Sequence, residues 1–157
     1  MSGLVVHEWM AHIGGSERVV EAMLDLHPDA DLLCLWADDL GRLNGHRVRQ
    51  TWLARTPLRG RKEAALPLMP VTWRCTRLPK YDWMLVSSHV FAHHVSGGRE
   101  NRGTAKFVYV HSPARYIWDA DVDERGRHPV VRAAATVLRP LDRRRAQEPV
   151  AIAVNSE

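Results

Sequence analysis

The chain has 157 residues, a formal net charge of +4 and an apolar fraction of 45%, values that fit a single globular domain and argue against a disordered chain. No apolar run approaches the roughly 20 residues that a membrane-spanning helix needs. Cys34 stands inside an apolar run, where a reduced, buried thiol is expected. We therefore expect a cytoplasmic protein, or one at the inner face of the membrane.

Five short apolar runs follow one another along the chain, at residues 4–6, 32–36, 83–86, 107–110 and 150–154. Unbroken apolar runs are typical of strands that are covered on both faces. Helical patterns lie between them. The sequence therefore predicts an α/β fold with a Rossmann-like, doubly wound, mainly parallel sheet, in one domain over residues 1–157.

Two helices can be placed by their boundary signals. The first follows Gly14 and Gly15, with Ser16 as its predicted cap and Pro28 after its end. The second is predicted to begin near His128, and Pro140 is expected to bend or end it.

Residues 41–79 form an irregular, proline-rich and arginine-rich region. We expect a short strand at 48–53, a short helix at 63–69, and two exposed aromatic side chains, Trp52 and Trp73. Basic residues cluster here and near residue 140, which would suit phosphate, an anionic lipid surface or simple solvation.

Gly14 and Gly15 lie between the first strand and the first helix. Paired glycines let the backbone approach a ligand, and a helix N-terminus offers free N–H groups, so a diphosphate could bind there. The alternative is a tight turn that needs positive φ angles. The full dinucleotide fingerprint and the P-loop motif are both absent.

Two further candidates follow later strands. His111 follows the predicted strand at 107–110, at the carboxyl end where ligands of open α/β sheets bind. The alternative is a structural histidine. Ser87, Ser88 and His89 follow the strand at 83–86, and the serines could equally cap a helix.

His89 and His93 have the spacing of metal ligands on a helix, but the zinc-protease pattern and a third ligand are missing, so no metal is expected. A nucleophilic triad and the common nucleic-acid-binding motifs are also missing.

Taken together and in order, these segments resemble the N-terminal half of the family 4 retaining glycosyltransferases of GT-B fold. The resemblance is carried by the segments at 14–19 (GGSERV), 66–70 (LPLMP), 81–88 (YDWMLVSS), 109–113 (YVHSP), 115–119 (RYIWD) and 152–157 (IAVNSE).

This resemblance implies transfer of a sugar from a nucleotide-diphosphate-sugar to a glycan or lipid-linked acceptor, with retention and without a metal or other cofactor. It assigns contact with the transferred sugar to His111 and approach to the donor phosphates to Gly14 and Gly15. The residues expected to line the acceptor side of the cleft are Ser87, Ser88, His89, Arg115, Tyr116, Trp118 and Asp119.

The resemblance also implies that a second, donor-binding domain should follow Glu157, so we expect this chain alone to be inactive and prone to self-association. Peripheral membrane contact through the tryptophans and arginines of residues 52–80 is a further expectation, and nucleic acid is not an expected partner. The alternative hypotheses are a non-enzymatic module that binds a phosphorylated lipid or polysaccharide, and a nucleotide binder of another Rossmann-like class.

Overall fold

The computed structural model describes residues 1–12, 14–43, 45–118 and 129–154. Six strands form one sheet in the order β3-β2-β1-β4-β5-β6, and all neighbouring strands are parallel. The strands are β1 (Gly3–Met10), β2 (Asp31–Ala37), β3 (Val48–Gln50), β4 (Trp83–Ser88), β5 (Ala105–Val110) and β6 (Ala151–Val154). The prediction of a Rossmann-like α/β fold is confirmed.

Helices connect these parallel strands. They are α1 (Gly15–Leu26), α2 (Lys62–Ala65), α3 (Met69–Cys75), α4 (Arg115–Trp118) and α5 (Pro129–Arg145). Short 3-10 turns occur at Trp52–Arg55, Leu66–Leu68 and Ala92–His94, among other places. Residues 48–53 are thus part strand and part 3-10 turn, whereas the helix predicted at 63–69 is split into α2, a 3-10 turn and the start of α3.

The sheet has an apolar cluster on each face. On one face, Val20 and Leu24 of α1 pack against side chains that include Val5 and Leu32. The other face carries a larger cluster with members from β1, β2, α3 and α5. Because β1 and β2 are buried on both faces, alternate side chains enter different clusters, which explains the unbroken apolar runs. Cys34 is free and buried as predicted, and burial raises the pKa of its thiol to about 12.

Three local expectations were wrong. Trp73 is fully buried, because α3 presents it to the larger cluster, although Trp52 is 49% exposed as predicted. Ser16 does not cap α1, since Gly14 is the capping residue and the Ser16 hydroxyl donates to Glu17 instead. β6 is exposed along its whole length, because it is the last strand of the sheet and the described residues do not cover it.

Helix α5 continues through Pro140 to Arg145, so the proline does not end it. The proline removes one backbone donor. Leu138 on one side of it is buried, and Asp142 on the other side binds three side chains from outside the helix. These tertiary contacts hold the last turn in place despite the proline.

The strand order reverses between β1 and β4, so these two strands flank the topological switch point of the sheet. In open α/β sheets, ligands bind at this position, outside the carboxyl ends of the strands. The segments that follow β1, β4 and β5 meet there, and they contain most of the predicted site residues.

Candidate functional site

His111 and Ser87 form a hydrogen-bonded pair at the carboxyl edge of the sheet. The Ser87 hydroxyl and the Nε2 atom of His111 lie 2.8 Å apart, and the His111 amide donates to the carbonyl of Ser88 at 2.9 Å. Ser87 is fully buried. Burial is the main cause that lowers the pKa of His111, assisted by the neighbouring His89, so a neutral imidazole is favoured. The pair thus places a neutral, oriented ring at the switch point.

His89 and His7 complete a group of three imidazole rings around this edge. The ring centroids lie 6.3 Å apart for His89 and His111, 6.4 Å for His7 and His111, and 5.4 Å for His7 and His89. The structure therefore brings the predicted residues Ser87, His89 and His111 together, although they come from two separate sequence motifs. His7 was not predicted.

Glu8 is the residue that organises this edge, and the sequence analysis missed it. Its Oε1 atom accepts the backbone N–H groups of His89, Val90 and Ala92 at 3.1, 2.8 and 3.0 Å, together with the Ser88 hydroxyl at 3.3 Å. These four donors attach the segment after β4 to β1. The available signal was a carboxylate inside a strand that is otherwise buried on both faces, where a charge persists only with strong partners.

The ionisation states of Glu8 and His7 follow from their surroundings. Burial alone would raise the pKa of Glu8, but the nearby imidazoles of His89 and His7 and the amides of Ala92 and Val90 outweigh it and lower the pKa to about 2. Burial lowers the pKa of His7 to about 4. Since the Nδ1 atom of His7 lies 3.1 Å from the Ser87 carbonyl oxygen, Nδ1 carries the proton of the neutral ring and donates it to that carbonyl. The cluster thus holds a carboxylate beside a neutral imidazole at neutral pH.

The loop at Gly14 and Gly15 is not the turn with positive φ angles that was one of the two alternatives. Gly14 has an extended backbone with φ of −175°, so it needs no left-handed conformation. A Cβ atom at Gly14 would instead overlap the carboxylate of Glu17, whereas Gly15 faces open space. Glu17 is 4% exposed and receives a hydrogen bond from the Ser16 hydroxyl at 2.7 Å. The protein's own carboxylate therefore lies at the start of α1, and only the Gly15 side is open to another anion.

Three of the other predicted cleft residues lie in α4. Arg115 is exposed, and Tyr116 lies in the same helix. Trp118 is directed to α5, because its indole N–H donates to Asp142 at 2.8 Å and its ring lies 5.1 Å from the guanidinium of Arg143. Asp119 lies outside the described residues. Trp118 thus serves first to join α4 to α5.

Two stacked, buried tryptophans adjoin the histidines, and this contact was not predicted. The rings of Trp9 and Trp36 stack with centroids 5.6 Å apart, and His89 meets Trp9 edge-on at 4.8 Å. The ammonium group of Lys62 lies 4.4 Å from the centre of the Trp9 ring, within the range of a cation–π contact. The irregular region therefore supplies one charge to the edge of the site.

Two clusters in the described part of the chain have the ligand types of a metal site, namely His7 with Glu8 and His89, and His93 with His94 and Asp142. His89 and His93, which have the spacing of ligands on one helix face, do not share one, because His93 lies in a 3-10 turn and belongs to the second cluster. In that cluster, Asp142 Oδ1 lies 2.9 Å from the Nε2 atoms of both histidines. The Ser88 hydroxyl and His93 Nδ1, 3.0 Å apart, connect the clusters.

Comparison of the chain with protein-family models, with curated proteins and with solved structures finds no match. Among the residues that the structure describes, no helix has the length and apolar character needed to cross a bilayer.

Proposed function

We propose that this chain is the acceptor-side half of a retaining glycosyltransferase, which moves a sugar from a nucleotide-diphosphate-sugar to a glycan or lipid-linked acceptor. The observation that carries the proposal is the Ser87–His111 pair with His89 at the switch point of the sheet. A neutral, fixed imidazole at this position can hydrogen-bond a sugar hydroxyl.

The start of α1 supports a place for the donor diphosphate. The open side of Gly15 suits an anion there. The carboxylate of Glu17 restricts the phosphates to the Gly15 side. We expect weak donor binding, with a Kd of about 1 mM, equivalent to about −4 kcal/mol.

The test is saturation-transfer NMR with a panel of nucleotide-diphosphate-sugars. We expect one member of the panel to receive saturation on its sugar protons. His111→Ala should weaken its binding at least tenfold, equivalent to about 1.4 kcal/mol. The matched control is His12→Ala, since the His12 side chain is 72% exposed. The proposal fails if no member binds, or if His111→Ala and His12→Ala behave alike.

A second candidate is a module that binds a phosphorylated lipid or polysaccharide without catalysis. A pocket of about 460 Å³ at the amino end of β5 favours it. Its lining includes Arg74, Arg99, Arg102 and Lys106 but only one carboxylate, Glu148. Arg99 and Arg102 are exposed, so their guanidinium groups are accessible to a phosphate.

This candidate has its own test, because the pocket and the switch point lie at opposite ends of the parallel strands. Glycerol phosphate and anionic vesicles should bind the native chain and bind much less to an Arg99→Glu/Arg102→Glu variant, with His111→Ala as the unaffected control. Equal binding by both variants would exclude the pocket as the site.

A further inference from the structure

Three buried polar atoms between β1 and β4 make no hydrogen bond in the described part of the chain. They are His7 Nε2, Glu8 Oε2 and His89 Nδ1. Glu8 Oε2 and His89 Nδ1 lie 3.2 Å apart, so their one contact is with each other, whereas His7 Nε2 has no hydrogen-bond partner among the described residues. His7 and Glu8 are fully buried, and the His89 side chain is 20% exposed. Buried polar atoms usually have hydrogen-bond partners, so the group can accept a ligand that contacts all three side chains.

The chemistry of these atoms narrows the ligand to a cation. Two imidazole nitrogens and one carboxylate oxygen form a donor set that zinc and related ions use in proteins. The opposite atoms of the same side chains are already held: His7 Nδ1 by the Ser87 carbonyl, and Glu8 Oε1 by three backbone amides. Such outer contacts fix the orientation and tautomer of metal ligands.

We propose that His7, Glu8 and His89 form a binding site for a divalent transition-metal ion, with Zn²⁺ as the best match. One ligand atom from each residue lies within 4.8 Å of those from the other two. Tetrahedral zinc ligands lie about 3.3 Å apart, so the side chains must approach one another by at most about 1.5 Å. His89 is the only one of the three side chains that is partly exposed, at 20%.

The second cluster is a weaker candidate for the same ion. Asp142 Oδ1 already lies at hydrogen-bonding distance from the Nε2 atoms of His93 and His94, and Oδ2 accepts the indole N–H of Trp118. An ion there would have to replace two short contacts, and Arg145 adds a nearby positive charge. The first cluster has one such contact, between Glu8 Oε2 and His89 Nδ1 at 3.2 Å, and its His7 Nε2 atom has no hydrogen-bond partner among the described residues.

The test is isothermal titration of the native chain with Zn²⁺, and with Co²⁺ monitored by its visible absorption. We expect one saturable ion per chain and a four-coordinate cobalt spectrum. His89→Gln, a change at a partly exposed side chain, should weaken binding at least tenfold, since loss of an outer partner alone costs about 10–100-fold. Circular dichroism verifies that each variant is folded.

His93→Gln and His12→Ala are the matched controls, and both should bind the ion as the native chain does. The proposal is overturned if a folded native chain shows no saturable binding, if His89→Gln leaves the affinity unchanged, or if His93→Gln abolishes it. Its failure would leave the proposed sugar transfer unaffected, because that reaction uses no ion.

Discussion

Replacement of Glu8 should be among the most damaging single changes at this edge of the sheet. Its Oε1 atom accepts three backbone N–H groups and one hydroxyl. Glu8→Ala leaves all four donors unpaired, at about 1–3 kcal/mol each in isolation. Because water can enter the space and such losses are not additive, we expect a net loss of about 3–5 kcal/mol, a large part of the 5–15 kcal/mol of a typical domain.

Glu8→Gln is the matched variant, because it keeps an acceptor oxygen and removes the charge. The pKa of Glu8 is lowered from 4.5 to about 2, so loss of the charge should cost roughly 3 kcal/mol at neutral pH, at the lower end of the loss expected for Glu8→Ala. Urea unfolding monitored by circular dichroism measures both. A loss below about 1 kcal/mol for Glu8→Ala would show that the carboxylate does not attach the segment after β4 to β1.

The same pair of proteins has a predicted pH dependence. The pKa of Glu8 falls from 4.5 to about 2 on folding, so the ionised carboxylate stabilises the fold above pH 4.5, and this contribution disappears as the pH falls towards 2. A shift of this size corresponds to roughly 3 kcal/mol. The stability difference between the native chain and Glu8→Gln should therefore shrink on acidification, and a constant difference would contradict the argument.

Three further predictions concern neighbouring residues. The pKa of His7 is depressed from 6.5 to about 4, so the native chain should lose stability as the pH falls through this window, and His7→Gln should flatten the curve measured by urea unfolding. Gly14→Ala should lower the free energy of unfolding by about 1 kcal/mol, because the new Cβ overlaps Glu17. Gly15→Ala, in open space within a helix, should raise it by about 0.5–1 kcal/mol, and thermal melts compare the two. Asp142→Asn should cost about 2–4 kcal/mol, since it weakens the contacts to His93, His94 and Trp118, and loss of protection in α5 by hydrogen exchange would locate the damage.

The fold could be predicted because the central strands β1 and β2 are buried on both faces and therefore appear as apolar runs. Prediction from the sequence fails where contacts with residues distant along the chain decide whether a side chain is buried. β3, with only three residues, produces too short a pattern to be bounded correctly. Trp73 lies in a polar, proline-rich segment, but its side chain is buried in the larger apolar cluster on the sheet. Pro140 was expected to bend or end α5, but the helix continues past it, where Asp142 binds side chains from outside the helix.

The candidate site was predicted in part, because residues that follow parallel strands converge at the carboxyl edge of the sheet. Ser87, His89 and His111 could therefore be assigned to one region from their positions alone. Glu8 and His7 lie within a strand, where position alone predicts burial and not a role. Their importance depends on the amides of residues 89, 90 and 92, about 80 residues away in sequence, and a single sequence does not reveal that pairing.

The most direct test of the proposed function is to locate a bound nucleotide-diphosphate-sugar on the chain by amide chemical-shift mapping or a crystal structure. The account predicts that the diphosphate contacts the Gly15 end of α1 and that the sugar lies beside Ser87, His89 and His111. Binding confined to the basic pocket of Arg74, Arg99 and Arg102, or no binding at the carboxyl edge of the sheet, would contradict it.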